Sequence, residues 1–204
     1  AEQLGVELQI SAMDFSAVQA AIPSGQADIA ISGFAKTEER AQNMELSVPF
    51  NTDDEQTGQG LLVKKGEGAS YSSADVFSKK KIGAQNGSLQ YNLVTSQLPE
   101  DVEIVPVGSL NDGVLMLETG KIDTLASDVA NAELLLESHK EIELADFAFE
   151  YESEGNVAAV KKGETELIEA VNEIIEEVNE KGLYKQWKDE STELAKSLGI
   201  EIAE

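Results

Sequence analysis

Ser24-Gly25-Gln26-Ala27-Asp28-Ile29-Ala30-Ile31-Ser32 and Thr119-Gly120-Lys121-Ile122-Asp123-Thr124-Leu125-Ala126-Ser127 share one pattern, S/T-G-x-x-D-x-x-x-S, 95 residues apart. Each follows a short helical pattern, with Phe15, Val18 and Ile22 before the first and Val114, Leu115 and Leu117 before the second. Before each helix lies an alternating stretch that reads as a strand, Val6 to Ile10 and Val102 to Val107. A third correspondence sets Val63-Lys64-Lys65-Gly66-Glu67 against Val160-Lys161-Lys162-Gly163-Glu164, 97 residues apart. G-x-x-D alone is a common turn from helix to strand. Three features keeping nearly one offset point instead to an internal repeat of strand–helix–strand units.

Working outward, the repeat predicts an α/β chain of two similar lobes whose βαβ crossovers build parallel sheets. The paired Val-Lys-Lys-Gly segments mark the lobe boundaries. Residues 1–62 and 159–204 form lobe 1, and residues 63–158 form lobe 2. The apolar runs Gln59–Val63 and Gly155–Val160 are expected to cross between lobes as two hinge strands that permit closure on a ligand. Leu167, Ile168, Val171, Ile174, Ile175 and Val178 form a helical stripe closed by Gly182, and Leu183, Tyr184 and Trp187 open another helix. The single tryptophan reads as a packing anchor for that helix.

The two halves differ at their starts. Lobe 2 opens with a strand at Lys80–Ala84, the loop Gln85-Asn86-Gly87 and a helix through Leu98 before its Val102 strand. Lobe 1 shows before Val6 only Ala1–Gly5, the last turn of a helix closed by glycine. The expectation is that lobe 1 is incomplete at the N-terminus by at least the Lys80-to-Val102 interval. It should then lack a central strand, unless another chain supplies one. Any signal or lipid-anchor sequence would have preceded that point.

Composition narrows the function. The 204 residues are 41% hydrophobic and 26% charged, in the range of folded globular chains. The 39 acidic residues against 15 basic ones leave a net charge of −24, which argues against binding nucleic acid or an anionic membrane. There is no cysteine, which removes thiolate metal sites and cysteine nucleophiles. The one histidine, His139, reads as an exposed helix-end residue. Asp53-Asp54-Glu55 lacks the spacing of a calcium loop and reads as a solvated turn. Gly58-Gln59-Gly60 lacks the third glycine of a dinucleotide fingerprint. No metal site and no cofactor are expected.

Three segments follow predicted strands and so face the ligand side of an open α/β sheet. Ser32-Gly33-Phe34-Ala35-Lys36-Thr37-Glu38-Glu39-Arg40 combines small residues with Thr37, which can cap a helix holding Arg40 at its third position. Arg40 is the only arginine beside 14 lysines, and its planar fork suits a carboxylate. Gln85-Asn86-Gly87-Ser88-Leu89 opens a helix whose free amides favour an anion. Ser127-Asp128 places a carboxylate at a strand end, where it either caps a helix or meets an ammonium. A carboxylate fork, an anion-binding helix start and an ammonium acceptor together fit an α-amino acid.

The sequence resembles the polar-amino-acid family of extracytoplasmic solute-binding proteins of ABC importers. The resemblance covers essentially the whole chain. It is carried by Met13-Asp14-Phe15-Ser16, by Asp28 through Ser32-Gly33 to Thr37-Glu38-Glu39-Arg40, and by Ser47-Val48-Pro49-Phe50. It continues through Gly83–Ser88, Asp123–Asp128 and Gly182–Trp187. The resemblance implies a two-lobed, type II periplasmic-binding-protein-like fold. It also implies a non-enzymatic role: binding an amino acid, glutamine-like or similar, and delivering it to a permease.

By position, the resemblance implies that Arg40 clamps the α-carboxylate, with Ser88 and the Leu89 amide assisting. Asp128 and the Gly33 carbonyl, beside Ser32, would take the ammonium. Phe15 would lie against the ligand side chain, and Gln85 and Ser127 would set selectivity. Ala35 stands where the family has serine or threonine, leaving a backbone contact only. Leu89 replaces a residue often small or polar. The resemblance further implies a bacterial, cell-surface or periplasmic monomer. The same fold serves sensor input domains and cyclohexadienyl-dehydratase-like enzymes, which remain alternatives.

Overall fold

The computed structural model describes residues 1–51, 58–152 and 154–197. Asp53-Asp54-Glu55 lies outside them. The chain forms two compact units: Ala1–Asp53 with Ser153–Ser197 (unit 1), and Asp54–Glu152 (unit 2). No helix among the described residues is long and apolar enough to cross a membrane.

Unit 2 contains β3 (Gln59–Lys64), β4 (Lys81–Gln85), α3 (Leu89–Gln97), β5 (Glu103–Val107), α4 (Leu110–Glu118), β6 (Thr124–Asp128), α5 (Val129–Ser138) and β7 (Ile142–Phe149). Its sheet runs β5-β4-β6-β3-β7. β4 pairs in parallel with β5 and β6, so both crossovers expected from the sequence are present. β3 pairs antiparallel with β6 and β7, making the sheet mixed. Its two faces are covered by separate apolar clusters, one around Phe77, Ile82 and Val94, the other around Val114, Leu117 and Leu125. β6 begins two residues later than the expected Ile122, because the chain leaves α4 through Gly120 at φ +73° and Lys121 N donates back to Met116 O. The motif aspartate then serves the sheet itself, since Asp123 Oδ2 accepts from Lys81 N at 2.8 Å and ties β4 to the entry of β6.

Unit 1 contains α1 (Phe15–Ser24), β1 (Ile29–Ala35), α2 (Glu38–Asn43), β2 (Met44–Asn51), β8 (Asn156–Lys161), α6 (Thr165–Glu180) and α7 (Leu183–Ser197). Its sheet, β1-β8-β2, is antiparallel throughout, where a parallel sheet was expected, because the stretch before α1 forms no strand to pair in parallel with β1. The repeat extends to strand register. Ala30 and Ile31 face Ala159 and Ala158 across β1 and β8. The positions equivalent by the 95- and 97-residue offsets, Leu125 and Ala126, face Leu62 and Leu61 across β6 and β3. Each repeat helix, α1 and α4, is likewise followed by a left-handed glycine, Gly25 and Gly120.

Three further expectations are corrected. Val6–Ile10 is not a strand; Val6, Leu8 and Ile10 are exposed, Ile10 at 82%. A strand exists only when a neighbour takes its backbone groups. In unit 2, β5 has β4 for that purpose, while unit 1 has no counterpart of β4 among the described residues. There β1 pairs with β8 alone, whereas β6 is paired on both edges.

The apolar runs expected to cross between lobes are interior strands instead. β3 lies wholly in unit 2 and β8 wholly in unit 1, each hydrogen-bonded on both edges, which suits their continuous apolar sequence. The divisions accordingly fall at Asp53/Asp54 and Glu152/Ser153, where 62/63 and 158/159 were expected.

Trp187 is 48% exposed and is not the anchor of α7. Tyr184, one turn earlier, packs its ring 5.5 Å from that of Phe50.

Candidate functional site

In unit 1 the site is built at the end of β1. The β1–β8 ladder is interrupted between Ile31 and Ala35, so the backbone of Ser32, Gly33 and Phe34 leaves the register of the sheet. Ser32 and Gly33 are exposed, and a Cβ on Gly33 would meet nothing within 4 Å. The chain then turns at Thr37, whose Oγ1 accepts from Arg40 N at 3.2 Å and caps α2 as expected.

That cap sets Arg40 at the third helical position and sends its side chain back over β1. Arg40 is only 5% exposed. One terminal guanidinium nitrogen, Nη1, donates to the Ala35 carbonyl at 2.6 Å. Its Cζ lies 5.2 Å from the Phe34 ring centroid and 5.5 Å from that of Phe15. The two rings are themselves 5.0 Å apart. Phe15, Ala35 and Arg40 are thus brought together beside Ser32 and Gly33. Ala35 contributes its carbonyl to Arg40.

In unit 2 the remaining candidates gather at the adjacent C-terminal ends of β4 and β6 and at the start of α3. Ser88 is buried and caps α3, its Oγ accepting from Tyr91 N at 3.0 Å. Leu89 is the first residue of that helix, where an amide has no acceptor four residues back. Gln85 Nε2 donates to Gly108 O at 3.3 Å and links the ends of β4 and β5. Ser127 is buried, with its hydroxyl donating to Asp128 O. Asp128 caps α5: Oδ1 accepts from Asn131 N at 2.9 Å and Oδ2 from Asn131 Nδ2 at 2.7 Å.

Sequence reasoning missed three neighbours. Asn131 orients Asp128 through both carboxylate oxygens; an Asp followed three residues later by Asn at a helix start was the available signal. Gln59, opposite Asp128 across β3 and β6, is buried and accepts from Gln90 Nε2 at 2.7 Å. Nothing in the apolar run around Gln59 marked it. Phe34 carried only an apolar signal. Among the described residues no cluster of His, Asp or Glu could hold a metal ion.

The family described as bacterial extracellular solute-binding proteins, family 3, matches residues 1–191. A probable histidine-binding protein of Campylobacter jejuni is 27% identical over 188 residues, covering 90% of the chain and 69% of that relative. The substrate-binding protein AbpA of an amino acid ABC transporter from Streptococcus pneumoniae, solved bound to L-arginine, is 34% identical with a TM-score of 0.80. That match covers 89% of the chain and 74% of AbpA. An ancestral arginine-binding protein solved bound to glutamine is 28% identical with a TM-score of 0.80, covering 93% and 81%.

Proposed function

The chain belongs to family 3 of the bacterial extracellular solute-binding proteins and has their type II periplasmic-binding-protein fold, and from that premise we propose that it binds a polar amino acid, glutamine-like or similar, for an ABC-importer permease. The observation that carries the proposal is Arg40. Its permanently charged guanidinium is 5% exposed and lies beside the Phe15 and Phe34 rings and the Ala35 carbonyl, and a planar fork of this kind suits a carboxylate.

In this reading unit 1 supplies Arg40 to the ligand α-carboxylate, the Gly33 carbonyl to its ammonium, and Phe15, with Ser32, near its side chain. Unit 2 supplies Ser88 and the Leu89 amide to the carboxylate, Asp128 to the ammonium, and Gln85 and Ser127 to selectivity. Charge-assisted contacts are each worth roughly 1.5–3 kcal/mol, so a few suffice for micromolar binding after ordering costs. The relatives' different ligands, arginine and glutamine among them, support the amino-acid class and leave the side chain to experiment. Binding without turnover, outside the cytoplasm, is part of the same proposal.

The test is a thermal-shift screen of the twenty amino acids, followed by calorimetry. A subset of polar L-amino acids should raise the unfolding temperature in proportion to concentration over Kd. Absence of a shift with all twenty overturns the proposal.

A further inference from the structure

We propose that Phe34 is a positioning residue for ligand binding, its ring fixing the plane in which the Arg40 guanidinium meets the ligand carboxylate. The inference rests on the reading of Arg40 as the carboxylate clamp.

An arginine side chain is long, and a fork that must find its orientation at each encounter loses affinity to ordering. Here three constraints converge on one side chain. Thr37 caps α2 through the Arg40 amide and so fixes where the side chain starts. The Ala35 carbonyl holds one terminal nitrogen. Phe34 provides a face 5.2 Å from Cζ, within the range of cation–π attraction.

Phe15 lies at a similar distance, but the two rings differ in how firmly they are held. Phe15 sits at the first position of α1 and is only partly buried. Phe34 is fully buried in the cluster of Ile22, Ala30, Met44, Val157 and Ala159 and is held there by strand and helix packing. A guanidinium stacked on it inherits that rigidity. Any large apolar residue would fill the core at position 34. Only an aromatic one offers a π face to a cation, and this separates positioning from packing.

The chain helps the test, because Arg40 is its only arginine and gives a single arginine Nε–Hε signal in a 15N NMR spectrum. In the wild type that signal should be ring-current shifted and as ordered as the backbone. In Phe34→Leu it should lose the shift and gain mobility, while the protein stays folded. Calorimetry with L-glutamine, L-arginine and L-histidine should show Phe34→Leu weakening whichever of them binds by about tenfold. Binding of the matching α-carboxamides should change little. In Arg40→Lys, adding Phe34→Leu should cost little more.

Phe34→Met serves as a second variant should leucine fail to fold. A mobile, unshifted Arg40 signal in the wild type overturns the inference without needing any variant. An affinity within twofold of wild type in Phe34→Leu, with Arg40→Ala still inactive, overturns the inference and leaves the clamp standing. Normal affinity in Arg40→Ala, or no binding of any of the twenty amino acids by the wild type, removes the clamp reading and this inference with it.

Discussion

Both carboxylate oxygens of Asp128 are engaged by one residue, Asn131, through its backbone amide at 2.9 Å and its side-chain amide at 2.7 Å. The grip orients the carboxylate at the end of β6, and it separates capping from charge. Asparagine caps a helix about as well as aspartate, so Asp128→Asn should leave stability nearly unchanged. The ammonium contact depends on charge. Calorimetry should show amino-acid affinity falling by about tenfold to a hundredfold, with deaminated analogues much less affected. Equal losses for both ligand types would leave Asp128 as a cap and nothing more.

Arg40→Ala should abolish amino-acid binding in a folded protein. Arg40→Lys should also bind poorly, because an ammonium cannot offer two parallel hydrogen bonds to a carboxylate. Calorimetry of variants with native circular dichroism checks both, and near-normal affinity in either contradicts the assignment.

Gly113 faces the sheet from α4, where an added Cβ would lie 2.5 Å from Leu125 Cδ1 and 2.9 Å from Cδ2. Gly113→Ala gains helix propensity but overpacks a fully buried leucine. A net destabilisation of about 1–3 kcal/mol is expected in urea unfolding. An unchanged or raised midpoint would mean that α4 shifts freely on the sheet.

Glu143 accepts from the amide of Gly68 at 2.6 Å and pairs with Lys65. The Gly68 and Gly66 amides, and then Lys65, hold its carboxyl below the usual glutamate range. The native state therefore binds its proton less readily than the unfolded chain does. The resulting stability is present above the ordinary glutamate pKa and is lost as pH falls through the lower native value. Glu143→Gln should be less stable than wild type at neutral pH, and denaturation curves at successively lower pH should show the gap closing. A gap that persists in acid assigns the effect to packing.

Thr124 is fully buried in β6, and its hydroxyl has no hydrogen-bond partner among the described residues. Thr124→Val should raise stability by about 1 kcal/mol, because it removes an unsatisfied polar group at nearly constant shape. A loss of stability in thermal unfolding would show that the hydroxyl is satisfied in solution.

Much of this molecule is written in short-range pattern. The repeated S/T-G-x-x-D turn needs a left-handed glycine to end a helix and a strand to follow, and both copies do so. Thr37, Ser88 and Asp128 are caps because each bonds an amide three residues ahead, a distance that sequence alone spans. The family resemblance and the candidate arginine rest on the same local signals.

What could not be read locally depends on partners distant in the chain. Val6–Ile10 alternates like a strand but pairs with no strand among the described residues, and β-structure is a property of pairs. Gln59–Val63 and Gly155–Val160 show apolar runs, yet whether such a run crosses between units or sits inside one sheet is set by which strands flank it. Trp187 and Tyr184 are both aromatic residues on α7, and only the position of Phe50 determines which of them packs. Phe34 reads as any core residue until folding brings the guanidinium of Arg40 over its ring. Periodicity specifies which face of an element is apolar; the energy of burial and pairing is settled only when a second element supplies the other half of the contact.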